Sequence, residues 1–181
     1  MGDVCEVEYG YGETAKKSGD VRYVRITDIN EDGEINGNPK YIGLTKEAKR
    51  YLLNKGDLVV ARTGATYGKT LLFEEDEKAV FASFLMRLNF NKTKVFPPYY
   101  WLFTRTQNYW SQAKTLVTGG AQPQFNGNAI KKIKIPLPSI PEQKEIYIKT
   151  AKEQGLILYN KQLTKLFEQK IKDKISEIWG E

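Results

Sequence analysis

Short apolar or alternating runs bounded by Gly, Asn and Asp recur through the first ninety positions: Val4–Val7, Val21–Ile26, Leu58–Ala61, Thr70–Phe73 and Phe81–Phe90. Their lengths and turn-like borders predict strands. Between them, Thr45 is placed to cap a short helix over Lys46–Leu53, in which Ala48, Tyr51 and Leu52 share a face and Asn54-Lys55-Gly56 closes the end. Pro97-Pro98 opens an aromatic segment, Tyr99–Gln112, where Tyr99, Phe103, Gln107 and Trp110 recur at helical spacing. That spacing predicts a helix running into a flexible loop at Thr118-Gly119-Gly120. Strands thus mix with helices, and the expected class is α+β with a mixed sheet.

The pattern changes over the last forty residues. Ser139-Ile140-Pro141-Glu142 matches a capping box, with Pro141 in the first turn, where its missing N–H costs nothing. No proline follows, so one long coiled-coil-like helix is predicted from about Pro141 to Trp179, roughly 58 Å at 1.5 Å per residue. Leu163, Phe167, Ile171, Ile175 and Ile178 step along it by three or four residues and make one apolar stripe, with Glu168 and Lys172 spaced to pair beside it. The stripe calls for a partner helix, or for a bend at Gly155 that folds it back on its own domain, at about 1 kcal/mol relative to Ala. The organisation expected is a domain over residues 1–138 and a helix over 139–181.

Composition narrows the chemistry. The 181 residues contain no histidine, which excludes Ser-His-Asp and Cys-His relays, His-ligated zinc and an imidazole switch near neutral pH. Cys5 is the only cysteine, so neither an intramolecular disulfide nor a thiolate metal cage is available, which fits a reducing compartment. No secretory signal pattern and no long apolar window occurs, and a soluble cytoplasmic protein is expected.

The charge distribution adds more than the net +6. Residues 1–77 carry 11 bases and 15 acids, residues 142–181 carry 8 and 7, and residues 78–141 carry 9 bases and no acid. The carboxylate-free stretch holds Lys78, Arg87, Lys92, Lys94, Arg105, Lys114, Lys131, Lys132 and Lys134. It reads either as a solvated basic face or as a surface for a polyanion, for which nucleic acid is the natural candidate.

Leu58–Thr70 looks like a phosphate-binding loop, a strand leading into Gly64-Ala65-Thr66-Tyr67-Gly68-Lys69-Thr70. The Walker pattern needs four residues between its glycines, and here there are three. Leu71-Leu72-Phe73 then suits a strand better than a phosphate-binding helix. A nucleotide-hydrolysing loop over residues 64–70 is therefore the alternative reading, and a hairpin that presents Arg62, Tyr67 and Lys69 at one edge is the main one. The acids cluster in loops or along the final helix, with no paired arrangement for acid–base work. Thr115–Lys134 is rich in amides, with Gln122, Gln124, Asn126 and Asn128 ahead of Lys131 and Lys132. It is either an ordinary loop or a DNA-reading one, in which amides meet base edges and lysines meet phosphate.

Four stretches together resemble the specificity subunit of type I restriction–modification systems. They are Tyr23-Val-Arg-Ile-Thr-Asp-Ile29, Gly56–Lys69, Thr118-Gly-Gly-Ala-Gln122 and Ile135-Pro-Leu-Pro-Ser-Ile-Pro-Glu-Gln-Lys-Glu-Ile146, in this order and with a long helix after them. The resemblance implies a non-catalytic target-recognition domain that reads half of a bipartite sequence in double-stranded DNA. It implies that the helix sets spacing, docks modification (methyltransferase) subunits and, through them, restriction subunits. S-adenosylmethionine, ATP and magnesium would belong to those partners, with no cofactor in this chain. The family commonly carries two recognition domains and two helices, whereas this sequence has one of each. The expectation is a half-subunit, either a natural short form that forms a homodimer through its helix or a piece of a longer chain. A regulatory or decoy subunit is the other reading.

Overall fold

The computed structural model describes residues 1–180, apart from the side chains of Leu158 and Lys161. It divides into two compact units, Met1–Gln143 and a second that begins at Lys144. The first is α+β. Strands β1 (Cys5–Tyr9), β4 (Leu58–Ala61), β5 (Thr70–Leu72) and β7 (Leu85–Phe90) form an antiparallel sheet in the order β1-β7-β4-β5. Strands β2 (Val21–Val24), β3 (Tyr41–Ile42) and β6 (Ala79–Phe81) form a mixed sheet in the order β3-β2-β6, with β2 antiparallel to β3 and parallel to β6.

Alternation along β4 explains its unbroken apolar run. Leu58 and Val60 pack with Met86, Leu88, Tyr100, Tyr109 and Phe125 in a core beneath helices α1 (Pro97–Phe103), α2 (Gln107–Leu116) and α3 (Gly127–Lys132). Val59 and Ala61 point the other way, into a core with Val24, Leu71, Phe73, Phe81 and Leu85 that the two sheets share. A strand covered on both faces has no position for a polar residue. A third cluster, with Val21, Tyr23, Ile42 and Val80, closes the outer face of the smaller sheet.

Several elements differ from those the pattern predicts. The run Phe81–Phe90 is two strands, because Ala82–Leu85 forms a tight turn in which the Leu85 N–H donates to the Ala82 carbonyl at 2.8 Å. The first strand extends to Tyr9 rather than ending at Val7. Thr45 does accept the Ala48 N–H at 3.1 Å, yet the chain then makes a single 3-10 turn over Ala48–Tyr51 rather than a helix over Lys46–Leu53. The predicted helix over Tyr99–Gln112 is broken at Thr104–Thr106. Both threonine hydroxyls there donate to backbone carbonyls three residues back, and Thr106 caps α2 by accepting the Tyr109 N–H at 3.3 Å.

The long helix α4 (Ile140–Trp179) runs unbroken through Gly155. Its capping box is half formed: the Glu142 carboxylate accepts the Ser139 N–H at 2.8 Å and also the Ser139 hydroxyl at 2.6 Å. These bonds hold the Glu142 carboxyl below its ordinary range. Gln143, fully buried, ties the first turn to its own unit: its amide donates to the carbonyls of Lys94 and Pro138 and accepts the Phe96 N–H. A buried amide is tolerated only with such partners. Along the helix, Lys174 pairs with Glu177 at 2.6 Å, in place of the expected Glu168–Lys172 pair.

Candidate nucleic-acid interface

Three loop tips meet at one end of the antiparallel sheet, and Arg62 is the residue they share. Its N–H donates to the Phe84 carbonyl in the β6–β7 turn at 3.0 Å, and its carbonyl accepts the Phe125 N–H at 2.7 Å. Its guanidinium lies 5.1 Å from the centre of the Tyr9 ring at the end of β1. Arg62 thus pins the β4–β5 hairpin, the β6–β7 turn and the amide-rich loop to one another. Two glycines make the approach possible. A Cβ on Gly10 would stand 2.2 Å from the Ala82 carbonyl oxygen, and Gly68 adopts φ of +78° against the Trp110 ring.

The amide-rich segment closes into a small loop, because Thr118 and Gln124 exchange backbone hydrogen bonds at 2.7 and 3.0 Å. Its amides divide by what they touch. The Gln124 side chain donates to Thr63 Oγ1 at 2.8 Å, and Asn126 caps α3 by accepting the Ala129 N–H at 3.1 Å. Gln122 stands exposed at the tip, and Asn128 stands exposed on α3. The hairpin residues divide likewise. Tyr67 packs edge-on against Trp110 and at a tilt against Phe125, while Lys69 reaches Glu31 at 2.5 Å. Gly64–Thr66 is a short 3-10 turn that leads into β5, so no helix N-terminus comes after Gly68 to hold a phosphate.

The carboxylate-free stretch gives some of its cations to acids from the first third of the chain. Arg87, mostly buried, reaches Glu8 at 2.6 Å, Asp57 at 3.2 Å and the Leu52 carbonyl at 2.8 Å, with its guanidinium over the Phe81 ring. Arg105 pairs with Asp32 at 3.2 Å and Lys131 with Glu6 at 3.1 Å. Lys78, Lys92, Lys94, Lys114, Lys132 and Lys134 have no carboxylate partner among the described residues. Lys132 and Lys134 border an open groove of about 610 Å³ with Asn108, Gln112 and Thr115. The structure therefore brings Arg62, Gln122 and Gln124 into contacting loops, and Asn126, Asn128, Lys131 and Lys132 continue from them along α3.

Two residues at this edge escape the sequence pattern. Phe84 is 51% exposed and Tyr9 42% exposed. Phe84 reads as the middle of a strand until the turn at Ala82–Leu85 is known; the signal was Ser83 interrupting the apolar run. Cys5 offers no chemistry here, since burial, aided by the neighbouring Glu6 carboxylate, pushes its thiol up to about 12. On α4, Leu163, Phe167, Ile171, Ile175 and Ile178 are all exposed in the single chain. Among the described residues, no three His, Cys, Asp or Glu side chains group to hold a metal ion. No helix among them is long and apolar enough to cross a membrane.

This fold has solved counterparts. The chain is similar to the HsdS subunit from Thermoanaerobacter tengcongensis, with a TM-score of 0.67 and 20% identity over 90% of this chain and 43% of that one. It is also similar to a chain of a type I restriction–modification complex described for its assembly and conformational transition, with a TM-score of 0.66 and 13% identity over 87% and 38%. The type I restriction–modification S subunit from M. genitalium gives 0.59 and 13% over 82% and 36%. The chain thus spans less than half the length of these counterparts, and at such identities they establish the fold alone. The family model for the type I restriction modification DNA specificity domain matches residues 1–175, nearly the whole chain, and the protein belongs to that family.

Proposed function

We propose that this chain is a non-catalytic recognition module that reads one half of a bipartite target in double-stranded DNA. The observation that carries this reading is the loop cluster around Arg62. It holds an exposed amide, Gln122, on a closed and hydrogen-bonded loop, continuous through α3 with Lys132. A preformed loop supplies base-edge contacts without an ordering cost at binding, and lysines without carboxylate partners are free for phosphate. In this reading Arg62, Gln122 and Asn128 face base edges and Lys132 positions the duplex. Lys131 and Lys69 reach DNA by exchanging Glu6 and Glu31 for phosphate, while Gln124, Asn126 and Tyr67 hold the loops in shape.

The stripe on α4 fits a second copy of the same helix, which would join two half-sites, and the helix is the docking element for modification subunits. Methyl transfer with S-adenosylmethionine, and any ATP- and magnesium-dependent step, belong in this reading to partner subunits in the cytoplasm. The decoy reading keeps the helix contacts and drops DNA reading.

The test is enrichment from a pool of random-core duplexes by the full chain, alone and with its modification subunit, across a salt series. Enrichment of one half-site is expected. Lys132→Ala should weaken binding to every duplex and lower the salt slope by about one. Assembly with modification subunits but no enrichment would favour the decoy. ATP turnover that depends on Lys69 would restore the nucleotide-loop alternative.

A further inference from the structure

Among the described residues of the first unit, the large apolar side chains that stand exposed are Tyr9, Phe84 and Leu137, and two of these three flank Arg62. Scattered exposed apolar residues are ordinary; two aromatics gathered at the edge where three loops are pinned together are not. Phe84 is the third residue of a tight turn whose closing bond is the Leu85 N–H to the Ala82 carbonyl, and its own carbonyl is held by the Arg62 N–H. The ring is thus carried on a tip fixed from both sides. The small Ser83 precedes it, Leu85 after it is fully buried and so turned away, and the Phe84 ring itself is 51% exposed.

We infer that Phe84 is a wedge that enters a base step of the bound duplex, with the Arg62–Tyr9 stack alongside it at the same step. This rests on the DNA-reading function proposed above and specifies how the duplex is deformed. An aromatic ring without hydrogen-bonding groups gains nothing from phosphate; it gains from a thymine methyl or, over a far larger area, from the flat faces of bases, and only the second unstacks and bends the duplex. Rings inserted between base pairs unstack them and bend the duplex by about 20–90°. Charge selects the same occupant. The stretch 78–141 that contains Phe84 has no carboxylate, Glu8 on the neighbouring strand is held by Arg87, and Arg62 brings a cation to within ring-stacking distance of Tyr9. A guanidinium already lying on one ring retains its other face and its N–H groups for a base or a phosphate. Base steps that unstack easily, pyrimidine before purine, are the ones such a wedge favours, so Phe84 contributes to sequence choice at a position it does not hydrogen-bond.

The experiment uses the full chain and a duplex enriched by it from a random-core pool, with 2-aminopurine placed in turn at each position and donor and acceptor dyes at the ends. The unaltered chain is expected to raise 2-aminopurine fluorescence at one step and to bend the duplex. Phe84→Ala should abolish both signals and weaken the enriched duplex at least tenfold, while binding to scrambled duplex and the salt slope stay the same. Phe84→Trp should restore them; Phe84→Leu, a non-planar wedge, should bend the duplex to a lesser degree. Because the ring is exposed, all three variants should melt as the parent does, and Phe84→Leu and Phe84→Trp keep the test valid if Ala alters the turn. If Phe84→Ala enriches the same duplex with the same affinity and bend, the wedge is wrong and DNA reading stands. If the unaltered chain enriches no duplex, the reading fails and the wedge with it. Loss of self-association or of a protein partner with DNA binding intact would place a protein on this edge and overturn the inference.

Discussion

The two units handle similar apolar side chains in opposite ways. In Met1–Gln143, Tyr100, Tyr109 and Phe125 are fully enclosed, and the strands that face them are buried as well. From Lys144 onward, Leu163, Phe167, Ile171, Ile175 and Ile178 are all exposed, Phe167 by 52%. The difference is topological. Two sheets and three short helices offer each apolar face another face to meet within the same unit, whereas a lone helix has only its own opposite side. Most helical stability comes from packing of an apolar face, so the first unit holds its stability within itself, and in the reading proposed above the helix gains its own from a second copy.

The largest effect should come from the enclosed side. Phe125→Ala removes a ring that touches Tyr67 and Tyr109 and supports the amide-rich loop, and it should cost about 3–5 kcal/mol in urea unfolding. Phe167→Ala should leave that same transition where it is. An equal shift for both would break the comparison, because it would make the helix stripe part of the domain core.

The next effect belongs to the stripe. Replacing Phe167 and Ile171 with Glu should convert a self-associated chain to a monomer in sedimentation equilibrium, each lost apolar contact costing about 1.5–3 kcal/mol of association. Circular dichroism should show the first unit still folded. A parent chain that is monomeric at high concentration would count against a second copy as the partner.

Legibility in the sequence divides along the same line. The helix was readable to within a residue, since a capping box, the absence of later proline and a stripe at steps of three and four are all local signals. β4 was readable because a strand buried on both faces leaves a continuous apolar run. What escaped were short local bonds inside a misleading pattern: the Thr104–Thr106 break, where hydroxyls bond to backbone carbonyls three residues back in a helix-like run, and the Ala82–Leu85 turn, where one serine separates two strands. The candidate site was half legible. Residue type marked Gln122, Gln124, Asn126 and Asn128 alike, and only the fold distinguishes the exposed amides from those bonded to Thr63 and Ala129. Charge was overestimated for a similar reason, because Arg87, Arg105 and Lys131 meet carboxylates that lie far away in sequence.

The smallest effect tests the contrast between enclosed and exposed groups within the first unit. Gln122 and Gln124 are the same residue type two positions apart, yet Gln124 donates its amide to Thr63 Oγ1 while Gln122 is exposed at the loop tip. Gln124→Ala removes that bond and should cost about 0.5–1.5 kcal/mol of stability, a net value because the amide regains water in the unfolded chain. Thr63 Oγ1 keeps its own donation to the Pro123 carbonyl at 3.3 Å, so the site should not be left with an unpaired hydroxyl proton. The loosened loop should lower discrimination slightly at every base pair it faces. Gln122→Ala should do the reverse: melting unchanged, discrimination lost at one base pair, and binding to scrambled duplex intact. Thermal melts paired with a base-by-base competition series separate the two. A Gln124→Ala chain that melts normally but changes preference at a single base pair would mean that the hydrogen-bonded amide is the reader, and that enclosure does not mark structural residues at this edge.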